Sequence, residues 1–241
     1  MMFRKFGLMA LLLGGVAMIF GGCGAFGHVA TGDVVSRTFN VADFTAVDIG
    51  GSRDIVFRHS ENHSVTIEMQ ESLFDILRVE VRGSTLNIRF DGSVTSIGVR
   101  PRVYVYAPLL ERVSLSGSVS ATADNADIFA DIVAISMSGS GNAAFTMDVT
   151  RLGIGTSGSS RLEFSGRADN VDIEQSGSGT ISALDLQAQD VSIRRSGSGG
   201  VYVSVSDNLN ISASGSGRVR YRGSPSITQS TTGSGTVSRI D

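Results

Sequence analysis

The sequence predicts an all-β protein wound as a single-stranded parallel β-helix, a β-solenoid, and three observations predict it. Seven Ser/Thr-Gly-Ser tripeptides recur, centred on Gly117, Gly139, Gly158, Gly177, Gly197, Gly215 and Gly233, with spacings of 22, 19, 19, 20, 18 and 18 residues. Apolar residues flank each tripeptide at a fixed parity. Glycine supplies 30 of the 241 residues, and long helices are disfavoured because each interior Gly costs about 1 kcal/mol relative to Ala.

The repeat resolves into strand, tight bend and strand. Six and four residues before the central Gly lie Val133/Ile135, Leu152/Ile154, Val171/Ile173, Val191/Ile193 and Leu209/Ile211. Four and six residues after it lie Ala143/Phe145, Leu162/Phe164, Ile181/Ala183, Val201/Val203 and Val219/Tyr221. A strand has a side-chain period of two, so these residues face one side. The intervening positions are mostly polar, such as Asp172, Glu174, Ser192 and Arg194. The glycines share the inward parity, where only a residue without Cβ lets the backbone pinch at a bend.

A coil of about 19 residues cannot bury its own apolar face, so coils must stack. Parallel pairing at about 4.8 Å per coil keeps each inward column continuous, and a slip of one residue would turn the core outward. The serine after each central Gly (Ser118, Ser140, Ser159, Ser178, Ser198, Ser216 and Ser234) is expected to point outward and form a surface ladder.

Before the regular repeats, which span about 111–240, the chain is also β. Strands are expected at Phe44 to Ile49, Asp54 to Arg58, Ser64 to Met69, Leu77 to Val81, Thr85 to Phe90 and Arg102 to Ala107, with turns at Gly50-Gly51 and Gly92. They read as less regular initial coils that cap the N-terminal end. The solenoid domain is therefore placed at 41–241.

The first 22 residues read as a leader. Arg4 and Lys5 precede an uncharged stretch from Phe6 to Phe20, followed by Gly21, Gly22 and Cys23. The apolar stretch is shorter than the roughly 20 residues a spanning helix needs. Phe20-Gly21-Gly22-Cys23 resembles a bacterial lipobox, which implies lipidation of Cys23 and stable anchoring by more than one acyl chain. Residues 23–40 are expected to form a tether. Cys23 is the only cysteine, so no internal disulfide is possible.

Familiar chemistry is absent where the sequence invites a search. Gly22 to Gly27 and Gly153 to Gly158 each spell Gly-x-Gly-x-x-Gly, but neither lies between a strand and a helix, as a dinucleotide loop requires. No Gly-x-Ser-x-Gly elbow occurs. His59 and His63 lack the order of a metalloprotease helix and read as part of a solvated turn. No metal or cofactor is expected. The acids Asp124, Asp127, Asp131, Asp148, Asp169, Asp172, Glu174 and Asp190 select no catalytic pair. A formal charge of −3 carries no nucleic-acid footprint. Arg194, Arg218, Arg220 and Arg222 form a candidate basic patch for phosphates or acidic glycans.

The Ser-Gly-Ser-Gly coils, the Phe44-Thr-Ala-Val-Asp-Ile49 opening and the lipoprotein-like start resemble the bacterial head GIN domain family, regarded as heads of auto-transporter adhesins. The resemblance covers roughly residues 40 to 235. It implies a right-handed parallel β-helix on the cell envelope, and it carries over no catalytic residues. The leading expectation is a non-enzymatic, lipid-anchored envelope protein, on the outer membrane, whose solenoid contacts glycans or cell-surface proteins. The alternatives are a periplasm-facing scaffold and a glycan-active β-helix enzyme. An exposed last coil also offers an edge for end-to-end self-association.

Overall fold

The computed structural model describes residues 27–240 except Ile97 and Asp124. The leader and Cys23 lie outside the described residues. The described chain is a solenoid of parallel coils. The strands Phe129–Gly139, Asn142–Gly158, Arg161–Gly177, Thr180–Gly197 and Gly200–Gly215 follow one another in sequence and in space. Each pairs parallel with the next, central glycine on central glycine from Gly117 to Gly215.

The inward columns are those the parity predicts. All ten apolar residues before the glycines, from Val133 to Ile211, are buried. Those after the glycines are also buried, except Tyr221, which is half-buried near the end of the stack. Phe145 meets Phe57, Phe129 and Phe164 at ring-centroid distances of 6.2, 5.8 and 6.0 Å. It thereby joins the regular coils to the N-terminal ones.

The N-terminal part departs from simple succession. The first coil, Ala46–Gly51 and Asp54–His59, does not lie at the end of the stack. It is held between Leu110–Gly117 and Ser120–Ala123 on one side and Thr85–Phe90 and Arg102–Ala107 on the other. Beyond that outer coil the pairing turns antiparallel. Leu77–Arg82 closes one edge, and Ser64–Gln70 followed by Val34–Asn40 closes the other. The 3-10 segment Glu71–Ile76 buries Leu73, Phe74 and Ile76. Leu77–Arg82 and Thr85–Phe90 form a hairpin, because a connection of two residues reverses the chain, whereas the other two antiparallel pairings join strands far apart in sequence.

Two expectations are corrected here. Residues 34–40 do not belong to a tether. They form a seven-residue strand paired from Val34↔Gln70 to Asn40↔Ser64. Phe39 stacks on Phe74 at 6.4 Å, and the Arg37 guanidinium lies 4.3 Å from the same ring. Nor is His63 part of a solvated turn. Its ring is 3.0 Å from the Phe44 carbonyl and 3.0 Å from Asp43, and it packs edge-on to Phe44.

The C-terminal end is open. Among the described residues the last coil, Ser226–Thr232 and Thr236–Arg239, pairs only with the coil before it. Two of its inward register positions turn polar: Gln229 follows Ile211, and Thr231 follows Ala213.

Candidate functional site

The repeated glycines build the corner around which the surface is organised. Each central Gly has positive φ, from 91° at Gly117 to 111° at Gly197. A Cβ at Gly177 would stand 2.5 Å from the Gly158 carbonyl oxygen. Backbone conformation and close stacking therefore both demand glycine. The stacking is also hydrogen-bonded: Ser140 N–H donates to the Gly117 carbonyl at 3.0 Å, and Ser178 N–H to that of Gly158 at 2.9 Å. The column begins one coil earlier than the tripeptides indicate. Gly51, with φ of 100°, pairs with Gly117.

All seven serines of the ladder are exposed. Ser198 and Ser216 lie within hydrogen-bonding distance, Oγ to Oγ 3.2 Å. A second row stands on the other side of the corner: Ser116, Ser138, Ser157, Ser176, Ser196 and Ser214, all exposed except half-buried Ser116. All of this second row except Ser214 lines an open groove of about 700 Å³ that also takes in Ser114, Ser136, Gly155, Glu174, Arg194 and Asp48.

The groove brings no catalytic pair together. Asp48 and Glu174 are separated by four register steps, through Ser114, Ser136 and Gly155. That is about 19 Å at 4.8 Å per strand, well beyond the roughly 5–10 Å of glycosidase carboxylates. Asp172 lies two residues before Glu174 on the same side but does not line this groove. Glu174 is taken up by Arg194 at 3.0 Å. Other acids serve the stacking in the same way: Asp148 pairs with Arg167 at 3.2 Å, Asp190 accepts from Asn208 at 2.6 Å, and Asp169 accepts from Gln189 at 3.3 Å. Among the described residues no three His, Cys, Asp or Glu side chains gather closely enough to hold a metal ion.

The expected basic patch divides. Arg194 precedes its corner, lines the groove and is neutralised by Glu174. Arg218, Arg220 and Arg222 follow theirs and occupy one outward row on the strand Arg218–Arg222. The corner separates the two sets, so they do not form one patch.

One feature escaped the sequence reading. Two residues before each central Gly, an inward column runs Leu115, Met137, Thr156, Gln175, Arg195 and Ala213. Its polar members are buried. Gln175 donates to the Gly179 carbonyl at 2.9 Å, and Arg195 donates to the carbonyls of Gly197 and Gly199 at 3.1 and 3.0 Å. Burial pushes the Arg195 guanidinium below the usual arginine value. A Cβ at Gly217 would overlap the Arg195 guanidinium, so the second glycines make room for these long side chains. Parity alone places Arg195 inward.

Solved structures share this architecture. A structure from Bacteroides fragilis described as a "putative adhesin" is 23% identical, covers 89% of this chain and 100% of its own, and superposes with a TM-score of 0.83. One from Parabacteroides distasonis, described as a "putative lipid binding protein", is 23% identical over 89% of this chain and 99% of its own, with a TM-score of 0.74. A "putative adhesin" from Parabacteroides merdae is 22% identical over 89% of this chain and 99% of its own, with a TM-score of 0.69. No protein of curated function matches the chain. The family model described as "Putative auto-transporter adhesin, head GIN domain" matches residues 43–225, and with its glycine corners and stacked coils the chain belongs to that family.

Proposed function

We propose that the protein is a non-enzymatic, lipid-anchored head of the cell envelope that makes contact with other surfaces through its hydroxyl-rich solenoid face. The observation that carries this reading is the pair of exposed serine rows flanking the glycine corner, with an open groove beside them. Such a face offers many weak donors and acceptors in regular array, suited to avidity along a glycan or a neighbouring cell surface. Membership of an adhesin-head family supports the role. The carboxylates point the same way, because several are held in pairing between coils. Anchoring follows from the leader and Cys23, with the outer membrane as its site. One structural neighbour is described as lipid binding; for this chain we assign contact with lipid to the acyl chains on Cys23.

The test is exposure on living cells. Intact cells expressing the full chain are treated with trypsin, which cuts after Arg, since Lys5 is the only lysine. A parallel sample is stained with antibody to the head, and a denatured lysate serves as the digestion control. Loss of signal from intact cells, with antibody staining of those cells, is expected. Protection and no staining until lysis would overturn the adhesin reading in favour of a periplasm-facing scaffold.

A further inference from the structure

Charge is segregated along the stack. From Asn208 to Asp241 the chain contains one acid, Asp241, against Arg218, Arg220, Arg222 and Arg239, although the whole chain has a formal charge of −3. The last coils are therefore a cationic end on an acidic rod.

Three of these arginines form a line. In the strand Arg218–Arg222, Val219 is buried and Tyr221 half-buried, so Arg218, Arg220 and Arg222 project from the outer face. Consecutive members stand about 6.6 Å apart along a strand. Arg167 and Arg194 each find a carboxylate on the preceding coil, whereas none of these three enters an ion pair among the described residues. The row does not guard the sheet edge, which is the usual use of charge near an open end. The edge strand stacked on the arginine strand, Thr236–Arg239, has Arg239 as its one charge, and the other edge strand, Ser226–Thr232, has none. The arginine strand lies one coil further in, paired on both sides.

An aromatic ring lies beside the row. Tyr202 is the register partner of Arg220, and Gly200 that of Arg218. A Cβ on Gly200 would stand 2.9 Å from Tyr202 Cε2 and 3.4 Å from its Cζ and hydroxyl oxygen. The ring is thus laid down along the strand over Gly200, half-exposed on the same outer face as the arginines. Gly200 has no positive φ that would require glycine. The bare position is accounted for by the ring it accommodates.

We propose that this strip binds an acidic polysaccharide laid along the strand Arg218–Arg222, with Tyr202 as the platform for a sugar ring and Arg218, Arg220 and Arg222 as partners of its carboxylates. A linear polyanion matches a linear row of cations. Guanidinium groups take carboxylates in paired hydrogen bonds. The half-exposed aromatic ring supplies the apolar contact that the C–H face of a pyranose seeks. The proposal rests on the reading of the head as a contact surface and names its ligand class.

The experiment measures binding of the full chain in detergent micelles to three immobilised polymers: polygalacturonate, the same polymer fully methyl-esterified, and polyphosphate. Polygalacturonate is expected to bind, and the ester to bind at least about tenfold more weakly. Replacing all three arginines (R218Q/R220Q/R222Q) is expected to abolish the preference and to lower the slope of log affinity against log salt by about 2. Tyr202→Ser is expected to weaken polygalacturonate binding about fivefold without changing that slope. Circular dichroism melts confirm that the variants remain folded. Undiminished binding by the triple variant overturns the proposal, as does equal binding of the ester. So does equal binding of polyphosphate with indifference to Tyr202→Ser, which would leave only non-specific charge. The contact reading itself fails separately, in the exposure experiment on intact cells.

Discussion

The regular coils between Phe129 and Gly215 and the first coil, Ala46–His59, turn the same corner with different residues. The regular coils place Gly at the central position and usually Gly again two residues later, as in Gly177 and Gly179. The first coil keeps the central glycine as Gly51 but places Arg53 at the second position. Arg53 is only 2% exposed. Its guanidinium has a single distant partner, the Ile88 carbonyl at 3.5 Å, and lies 4.8 Å from the Phe90 ring. Burial lowers its pKa to about 10. The difference separates two demands on a corner. Positive φ recurs at every central position and is not negotiable. The second position asks only that something fit between the coil and its neighbours, and at the capped end of the stack a long side chain fits.

The sharpest way to break this comparison is to change a central corner glycine and a glycine within a strand. Gly177→Val places a branched side chain at φ of 108°, against a backbone oxygen 2.5 Å from its Cβ. It is expected to cost at least about 3 kcal/mol in urea unfolding. Gly153 has no positive φ, and its added Cβ would find nothing nearer than 3.9 Å. Gly153→Ala is therefore expected to gain about 0.5 kcal/mol. Equal losses at the two sites would refute the corner account.

Arg53 sharpens the comparison at the next level. Its Nε has no hydrogen-bond partner, and an uncompensated buried charge is poorer than an apolar group of similar size. Arg53→Met is expected to raise stability by about 1 kcal/mol, while Arg53→Ala leaves a void and lowers it by about 2 kcal/mol. Thermal melts of both variants check the opposed signs; a large loss with Met would mean that the charge itself holds the first coil. The smallest effect belongs to the surface. Glu174 and Arg194 are 67% and 61% exposed in their side chains, so a double-mutant cycle with E174Q and R194Q is expected to give under about 1 kcal/mol of coupling, and less in high salt.

The parts legible in the sequence were those governed by parity and spacing. Period two placed Val171, Ile173, Ile181 and Ala183 inside, and the glycine spacing set coil upon coil. Stacking order is a different kind of information. Parity tells which way Val47 and Ile49 point, but not that their strand lies between residues 85–90 and 110–117. The strand Val34–Asn40 was hidden because one of its core-side positions is Arg37, which rests its guanidinium on Phe74. The turn at Gly50-Gly51 was expected, but its place in the glycine column was not, because Gly50-Gly51-Ser52-Arg53 lacks both the leading Ser and the second Gly. At the candidate site, the division of the arginines was already written in their offsets. Arg194 lies three residues before its central glycine, whereas Arg218, Arg220 and Arg222 come after theirs. What no offset revealed is the posture of Tyr202 over Gly200, which depends on the absence of one methyl group.

The position of the first coil inside the stack has a consequence for the order of events in time. A chain made from its N-terminus produces Ala46–His59 early, but both neighbours of that coil arrive later. One is complete only when Ala107 has been made, the other only at Ala123. Until then neither neighbouring coil is whole, and the entropy of closing those long loops must be met before the pairing rewards it. The head therefore cannot wind up from its leading tip as it emerges. The regular coils from Phe129 onward, by contrast, each meet a neighbour already made, so stacking in order of synthesis is open to them, a coil at a time, towards the cationic end.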